Sequence, residues 1–382
     1  MARFARRRRK SFGSLLHAIS RWCRGPLRRG VRQSRADRYV KRHRSVDLAL
    51  ALVSYFLLGL RSLRGLKRHL DEDPLVAQCV GWRRMSIAQL GKSLRDRPPA
   101  LWEPLLTELR RCVTDPEAPR WLRVIDSTLF RLSLKLLTRC TGKRFKNPGN
   151  AGLQATLVLD VEHLVPVAMR SRVGQGSDAA NGPRVLPPEE DITGHMYLFD
   201  RGFRSYTFYD DLIHRAADFV TRQSAQIVYE VETAFPLDPA HPEIVADEKV
   251  WLGSRGHRMA HPLRRIVLEG PREPVIFLTS CFDLSAFEVS ELYRRRWVIE
   301  TFFRWLKRVI GCDRPLGYSH PAALHTIYAA LVVYLLTLLL AGLDPKAPRR
   351  ACTAAIKAVF GLLRALLYQR PRRDHLQALG FV

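Results

Sequence analysis

ELYRRRWVIETFFRWLKRVIG, residues 291–311, has no proline and no glycine before its last position, and its aromatic and aliphatic residues recur at helical spacing. It reads as one continuous helix. At about 100° per residue, Val298, Ile299, Phe302, Trp305, Leu306 and Ile310 gather on one broad side. Tyr293, Arg296, Glu300 and Lys307 fall within an arc of about 60° on the opposite side, with Trp297 and Arg304 near it. One face is therefore anchored in a core, while the other carries a hydroxyl, cations and a single carboxylate. Glu300 between Arg296 and Arg304 also fits a solvated face with i,i+4 pairing. The charge pattern alone leaves both readings open.

Two strand ends upstream supply further acids. Residues 121–128, WLRVIDST, read as a strand ending in a carboxylate, Asp126, and residues 195–199 as a strand ending at Asp200-Arg201-Gly202-Phe203. Other strands are expected over 155–160, 164–169 and 218–222, with a helix over 206–217 and a Gly/Pro/Asn/Asp-rich loop over 174–190. Strands, then a helix and a strand, indicate an α/β layer. Strand-like runs at 226–232, 249–252, 264–268 and 275–279, separated by Pro and Gly, form a β-rich insertion ahead of the helix. Residues 45–115 read as short helices with Arg on their polar sides. That suits a helix-turn-helix-like reader of DNA and a plain helical bundle equally.

The formal charge of +27 accompanies 47% apolar residues in a chain of 382, so a folded, strongly basic protein is expected, with nucleic acid ahead of an anionic membrane as partner. Residues 1–44 hold sixteen Lys or Arg against one acid, Asp37. They read as a flexible basic arm, either on DNA or as a solubilising tail. No apolar segment with a cleavage site follows, so the basic start is not read as a secretory signal. Seven scattered Cys with no CxxC pair argue for reduced thiols in a cytosol and against a structural zinc. Ala322 to Leu343 has no charge apart from His325 and is long enough to span a bilayer. With no second span, it reads better as a buried helix of a large α/β core. A helical, basic tail over 346–382 closes the chain.

Tyr293, two residues, Arg296, three residues, Glu300, six residues and Lys307 form a YREK spacing. This segment resembles the corresponding helix of the DDE transposases of bacterial insertion sequences, specifically the insertion-sequence-four family. Ile125-Asp126-Ser127-Thr128, Leu198-Phe199-Asp200-Arg201-Gly202 and the lead-in CFDLSAFEVSEL at 281–292 are similar to that family's motifs, with Phe203 where the family usually has Tyr. A looser likeness runs from Asp37 through Leu109 to the family's N-terminal helical domain, which sits beside terminal-repeat DNA. The resemblance implies a ribonuclease-H-like α/β core (116–223 and 281–345), a β-rich insertion (224–280) and a helical DNA-binding domain (45–115).

Cleaving a phosphodiester requires activating water and stabilising an oxyanion, which two divalent cations about 3.5–4 Å apart achieve with hard carboxylate ligands. Asp126, Asp200 and Glu300 offer such a set. Each has a plainer explanation as a cap, a turn residue or a paired surface charge. Asp160 also ends a strand, and Asp191, Asp210, Asp211, Glu230 and Glu232 offer the chemistry without the context. The resemblance implies that Asp126, Asp200 and Glu300 bind two Mg²⁺, with Mn²⁺ as the substitute. It further implies that Tyr293, Arg296 and Lys307 hold transposon-end phosphates. Trp297 is either a stacking platform for a displaced base or one more core tryptophan. His195, His257, His261 and His320 have no ligand-like spacing. The expected function is metal-dependent cleavage at terminal inverted repeats and strand transfer into target DNA. It would occur within a synaptic complex of two or more protomers, in the cytoplasm at the nucleoid and without membrane attachment. A catalytically inactive DNA-binding relative and a nuclease that hydrolyses without joining are the alternatives.

Overall fold

A computed structural model describes residues 2–40, 42–114, 121–132, 138, 152–174, 177–186, 191–224, 226–254, 256, 258–313, 315–317 and 319–341, with side chains from residue 16 to 340. The expected tail at 346–382 lies outside the described residues. The chain divides into two compact units, residues 1–116, 130–153 and 304–382, and residues 117–129 and 154–303.

Apart from strand ends at residues 130–131 and 152–153, the first unit is largely helical among its described residues. Where a flexible arm was expected, Ala2–Gln33 forms helix α1. Leu16, Ile19, Cys23, Leu27 and Val31 are buried. Their spacing of three or four residues makes an apolar stripe that the surrounding arginines obscure in a composition count. Helices α2 (Ser45–Leu57), α3 (Leu63–Glu72), α4 (Pro74–Val80), α5 (Ile87–Asp96) and α6 (Glu103–Val113) follow. Ser62, Asp73 and Ser86 cap α3, α4 and α5 by accepting from main-chain N–H groups. Asp73-Pro74, which reads as a break, is thus a helix start, with Pro in the first turn where its missing N–H costs nothing.

His320–Ala341 (α11) is long and apolar enough to cross a membrane, yet 78% of its most apolar window is buried. It packs on α2 and α6. The expectation of a buried helix holds, but its partners are helices rather than the sheet of an α/β core. Its buried histidine, His325, is disarmed. Nδ1 of His325 accepts from the Trp102 indole at 2.8 Å and Nε2 lies 3.1 Å from the Arg97 carbonyl, while burial pulls the imidazole down to about 4.

The second unit is built on a nine-stranded mixed sheet in the order β3-β2-β1-β4-β5-β9-β8-β7-β6. Its strands are β1 (Leu122–Arg131), β2 (Gly152–Asp160), β3 (Val165–Val173), β4 (Met196–Phe199), β5 (Asp218–Gln223), β6 (Tyr229–Ala234), β7 (Ile244–Leu252), β8 (Leu263–Leu268) and β9 (Val275–Thr279). The insertion strands continue the central sheet: β9 pairs antiparallel with β5, then β8, β7 and β6 add in turn. Tyr206–His214 (α8) packs Phe208, Tyr209 and Leu212 into the core with Phe199, Phe203 and Phe219.

Two local expectations change. The loop expected over 174–190 contains helix α7 (Asp178–Val185), despite Gly182 and Pro183. Gly182 is there because a Cβ would lie 3.0–3.2 Å from the Phe208 and Phe203 rings. The organising helix begins earlier than read and is not uniform. It comprises α9 (Ala286–Arg294), a 3₁₀ turn at Arg295–Trp297, α10 (Val298–Trp305) and a π-helical turn at Leu306–Ile310. Ser285 and Glu288 start it with a reciprocal capping box, and Gly311 at φ 88° ends it.

Candidate active site

Strands β1 and β4 run parallel with Val124 opposite Leu198. Asp126 and Asp200 each lie two residues further on, so the strand register carries both acids to the same end of neighbouring strands. Strand β1 runs on to Arg131, so Asp126 lies within it rather than ending it. Asp200 follows β4 and caps the turn Arg201–Phe203, its Oδ1 accepting from the Gly202 N–H at 2.8 Å.

Glu300 comes from α10. Arg296, one turn earlier, donates from Nη2 to Glu300 Oε1 at 2.6 Å and from Nη1 to Asp126 Oδ2 at 3.3 Å. The first contact is the i,i+4 pair expected of a solvated face. The second reaches 170 residues back to the sheet, which a solvated face does not do. Burial pushes the Asp126 carboxyl up to about 7; the Ser127 amide and Arg296 oppose the shift, while the charges of Asp200 and Glu300 add to it. Two acids distant in sequence, Asp200 and Glu300, therefore act on Asp126, with one guanidinium between Asp126 and Glu300.

Among the described residues no trio of His, Cys, Asp or Glu is drawn together tightly enough to hold an ion as it stands. The donors nevertheless suit a hard dication in kind, because all are carboxylates. They suit it in charge as well, since Asp126 is buried and feels two further acids, opposed by the Ser127 amide and Arg296.

Tyr293 packs against Phe277 at 5.0 Å between ring centroids, 5.9 Å from the Arg296 guanidinium. Burial pushes its phenol up to about 12, and it hydrogen-bonds to the main chain at Arg222. Trp297 is 56% exposed on the 3₁₀ turn, which sets it apart from the buried Trp305. Lys307 belongs to the first unit, with Nζ 5.1 Å from the Phe130 ring centroid and its pKa lowered by burial.

The competing acids have local partners. Asp160 accepts from the His163 main chain and lies 3.1 Å from its ring, and Asp191 caps a turn at Thr193. Asp210 meets His261, Asp211 pairs with Arg215, Glu230 with Arg258, and Glu232 with Lys249 and Trp251. Phe203 is fully buried 6.1 Å from Phe199, so this aromatic packs without a hydroxyl to satisfy.

Asp178 was not among the sequence candidates. It opens α7 but does not cap that helix. Its Oδ1 accepts from Gln154 Nε2 at 2.8 Å, Ser127 hydrogen-bonds to it, and Asp200 bears on it electrostatically. The Gly/Pro-rich texture hid both the helix and the acid. Arg222, exposed beside Tyr293, was passed over as an ordinary strand residue.

The family described as Transposase DDE domain matches residues 117–336. The chain is 27% identical over 236 residues to y4zB of Sinorhizobium fredii, a protein named for a transposase role, covering 60% of this chain and 64% of that one. It thus spans just under two thirds of that relative. It is 21% identical over 295 residues to a protein of Geobacillus stearothermophilus named as the transposase for insertion sequence element IS5377, covering 75% and 74%. The match across more than half of the residues, over the segment that carries Asp126, Asp200 and Glu300, makes the chain a member of the Transposase DDE domain family.

Proposed function

We propose that this protein is a DDE transposase that cleaves DNA at the ends of an insertion sequence and joins the freed 3′-hydroxyl to target DNA. The observation that carries this reading is the bridging of Asp126 and Glu300 by Arg296, with Asp200 at the same end of the strand beside Asp126 and its charge felt by that carboxyl. The sheet order β3-β2-β1-β4-β5 supports a ribonuclease-H-like core, and the YREK spacing supports membership of the insertion-sequence-four group.

Asp126, Asp200 and Glu300 would hold divalent cations, Mg²⁺ or Mn²⁺. These supply activation of the attacking water or hydroxyl and stabilisation of the leaving oxyanion. The protein's own groups do the rest. Asp126, shielded from water, gives up its proton before it can act as a ligand. Arg296 holds Asp126 and Glu300 toward each other, and its fork, once released from them, suits bidentate contact with a phosphate. Tyr293 and Lys307 are assigned to end phosphates, and the exposed Trp297 to stacking on a displaced base.

Specific substrates are the terminal inverted repeats and target duplex, bound by two or more protomers at the nucleoid. In the helical unit, a groove of about 790 Å³ whose lining includes Arg35, Arg38, Arg42 and Lys92, with Asp96 as its acid, suits the phosphate backbone. Purified protein with Mg²⁺ and duplex carrying the repeats that flank its own gene is expected to give cleaved and joined products. Glu300→Gln is expected to give neither while still binding the duplex. Equal products from both proteins would remove Glu300 from the mechanism, and nicks without joining would leave only a nuclease.

A further inference from the structure

The acids read above as metal ligands have a fourth neighbour. Asp178 is the first residue of α7, where an acid ordinarily turns back to the helix N–H groups. Instead its carboxylate points at the sheet. Gln154 on β2 donates to Oδ1 at 2.8 Å, and Ser127 on β1 hydrogen-bonds to it. Ser127 is the residue after Asp126, and its main-chain N–H donates to Asp126 Oδ1 at 2.7 Å. Its hydroxyl also lies 2.8 Å from Thr156 Oγ1, so it is held from two sides.

Gly202 defines the other side. A Cβ built there would stand 2.9 Å from Asp200 Oδ1 and 3.0 Å from Asp178 Oδ2. The two carboxylates thus crowd the same small volume, and only glycine leaves them room. Gln154 and Ser127 hydrogen-bond to the Asp178 carboxylate but are neutral, so the partners it has among the described residues bring no counter-charge. Like charges confined together are unfavourable unless a cation joins them.

We propose that Asp178 is a positioning residue of the metal site. Fixed by Gln154 and Ser127, its carboxylate holds Asp200 in place and adds the negative charge that draws a divalent cation to Asp126 and Asp200. This rests on the metal-ligand reading given above. Partners that orient ligands in this way typically contribute about 10–100-fold to metal affinity.

The test is Mn²⁺ binding by the full chain without DNA, followed as loss of the free-ion electron paramagnetic resonance signal. Wild type, Asp178→Asn, Gly202→Ala and Asp126→Asn are compared. Asp178→Asn keeps the shape and can still accept from Gln154, so a purely structural role predicts wild-type affinity. A positioning role predicts at least about tenfold weaker binding with a melting temperature in EDTA no lower than that of wild type. Gly202→Ala leaves the charge and drives the two carboxylates apart, and it should weaken Mn²⁺ in the same direction. It covers the case in which the Asn variant does not fold. Wild-type affinity in the folded position-178 variant, or in Gly202→Ala if the former is unfolded, overturns the role of Asp178. Mn²⁺ binding that Asp126→Asn leaves intact overturns the metal-ligand reading and this proposal with it.

Discussion

Arg296 decides how the acids are read, because one guanidinium serves both the helix carboxylate and the strand carboxylate. Lysine offers a point charge and no fork, so Arg296→Lys should rescue little of what Arg296→Ala loses. Both substitutions are expected to slow single-turnover cleavage by about 10²-fold or more, read on labelled end duplex. Asp126 gives a pH signature. Its pKa rises from 3.8 to about 7 in the fold, so between those values the folded state holds the proton more tightly than the unfolded chain. Its contribution is intact below pH 3.8 and is lost as pH rises through about 7. Asp126→Asn removes that loss. In metal-free buffer, the melting temperature of the variant minus that of wild type should be larger at pH 8 than at pH 5. An equal difference at both would show that the carboxyl is not raised.

Elements place these side chains, and two starts can be broken selectively. The capping box of Ser285 and Glu288 fixes where α9 begins, and through it the phase at which Arg296 and Glu300 face β1. Ser285→Ala should cost about 1 kcal/mol in urea unfolding. In the helical unit, α1 passes so close to the 3₁₀ turn at Pro99–Trp102 that a Cβ at Gly30 would lie 2.0 Å from the Leu101 carbonyl oxygen. Gly30→Ala should therefore destabilise the unit by about 1–3 kcal/mol, as overpacking does, although alanine favours helix in isolation. A gain in stability would mean that α1 is not docked as described.

For the whole molecule, charge sets the terms of binding. With a formal net charge of +27, affinity for end duplex should follow counterion release. Fluorescence anisotropy should show a fall of about 10³–10⁵-fold between 50 and 200 mM salt, if six to ten phosphates are contacted. The Asp126 and Asp178 variants should keep that slope, since on the proposed reading they alter cation binding rather than contacts with the phosphate backbone.

The strands from β1 to β9 and helices α2, α3, α5 and α6 were legible because their apolar runs and helical periods survive in the sequence, whereas α4 hid behind the apparent break at Asp73-Pro74. The YREK spacing and the two Asp motifs were legible because they are local strings. Three things were not. Helix α1 was hidden by arginines around its apolar stripe, and α7 by Gly182 and Pro183, whose fit depends on Phe203 and Phe208. The place of α11 was hidden because a helix apolar on every side does not say whether its partners are a sheet or other helices. The sequence by itself determined which acids were available and the periods of most elements. Only the tertiary structure decided which strands are neighbours, and hence that Arg296 bridges Asp126 and Glu300 while Asp200 and Asp178 crowd Gly202: register and burial are long-range properties, and no local string encodes the distance between residues 126 and 300.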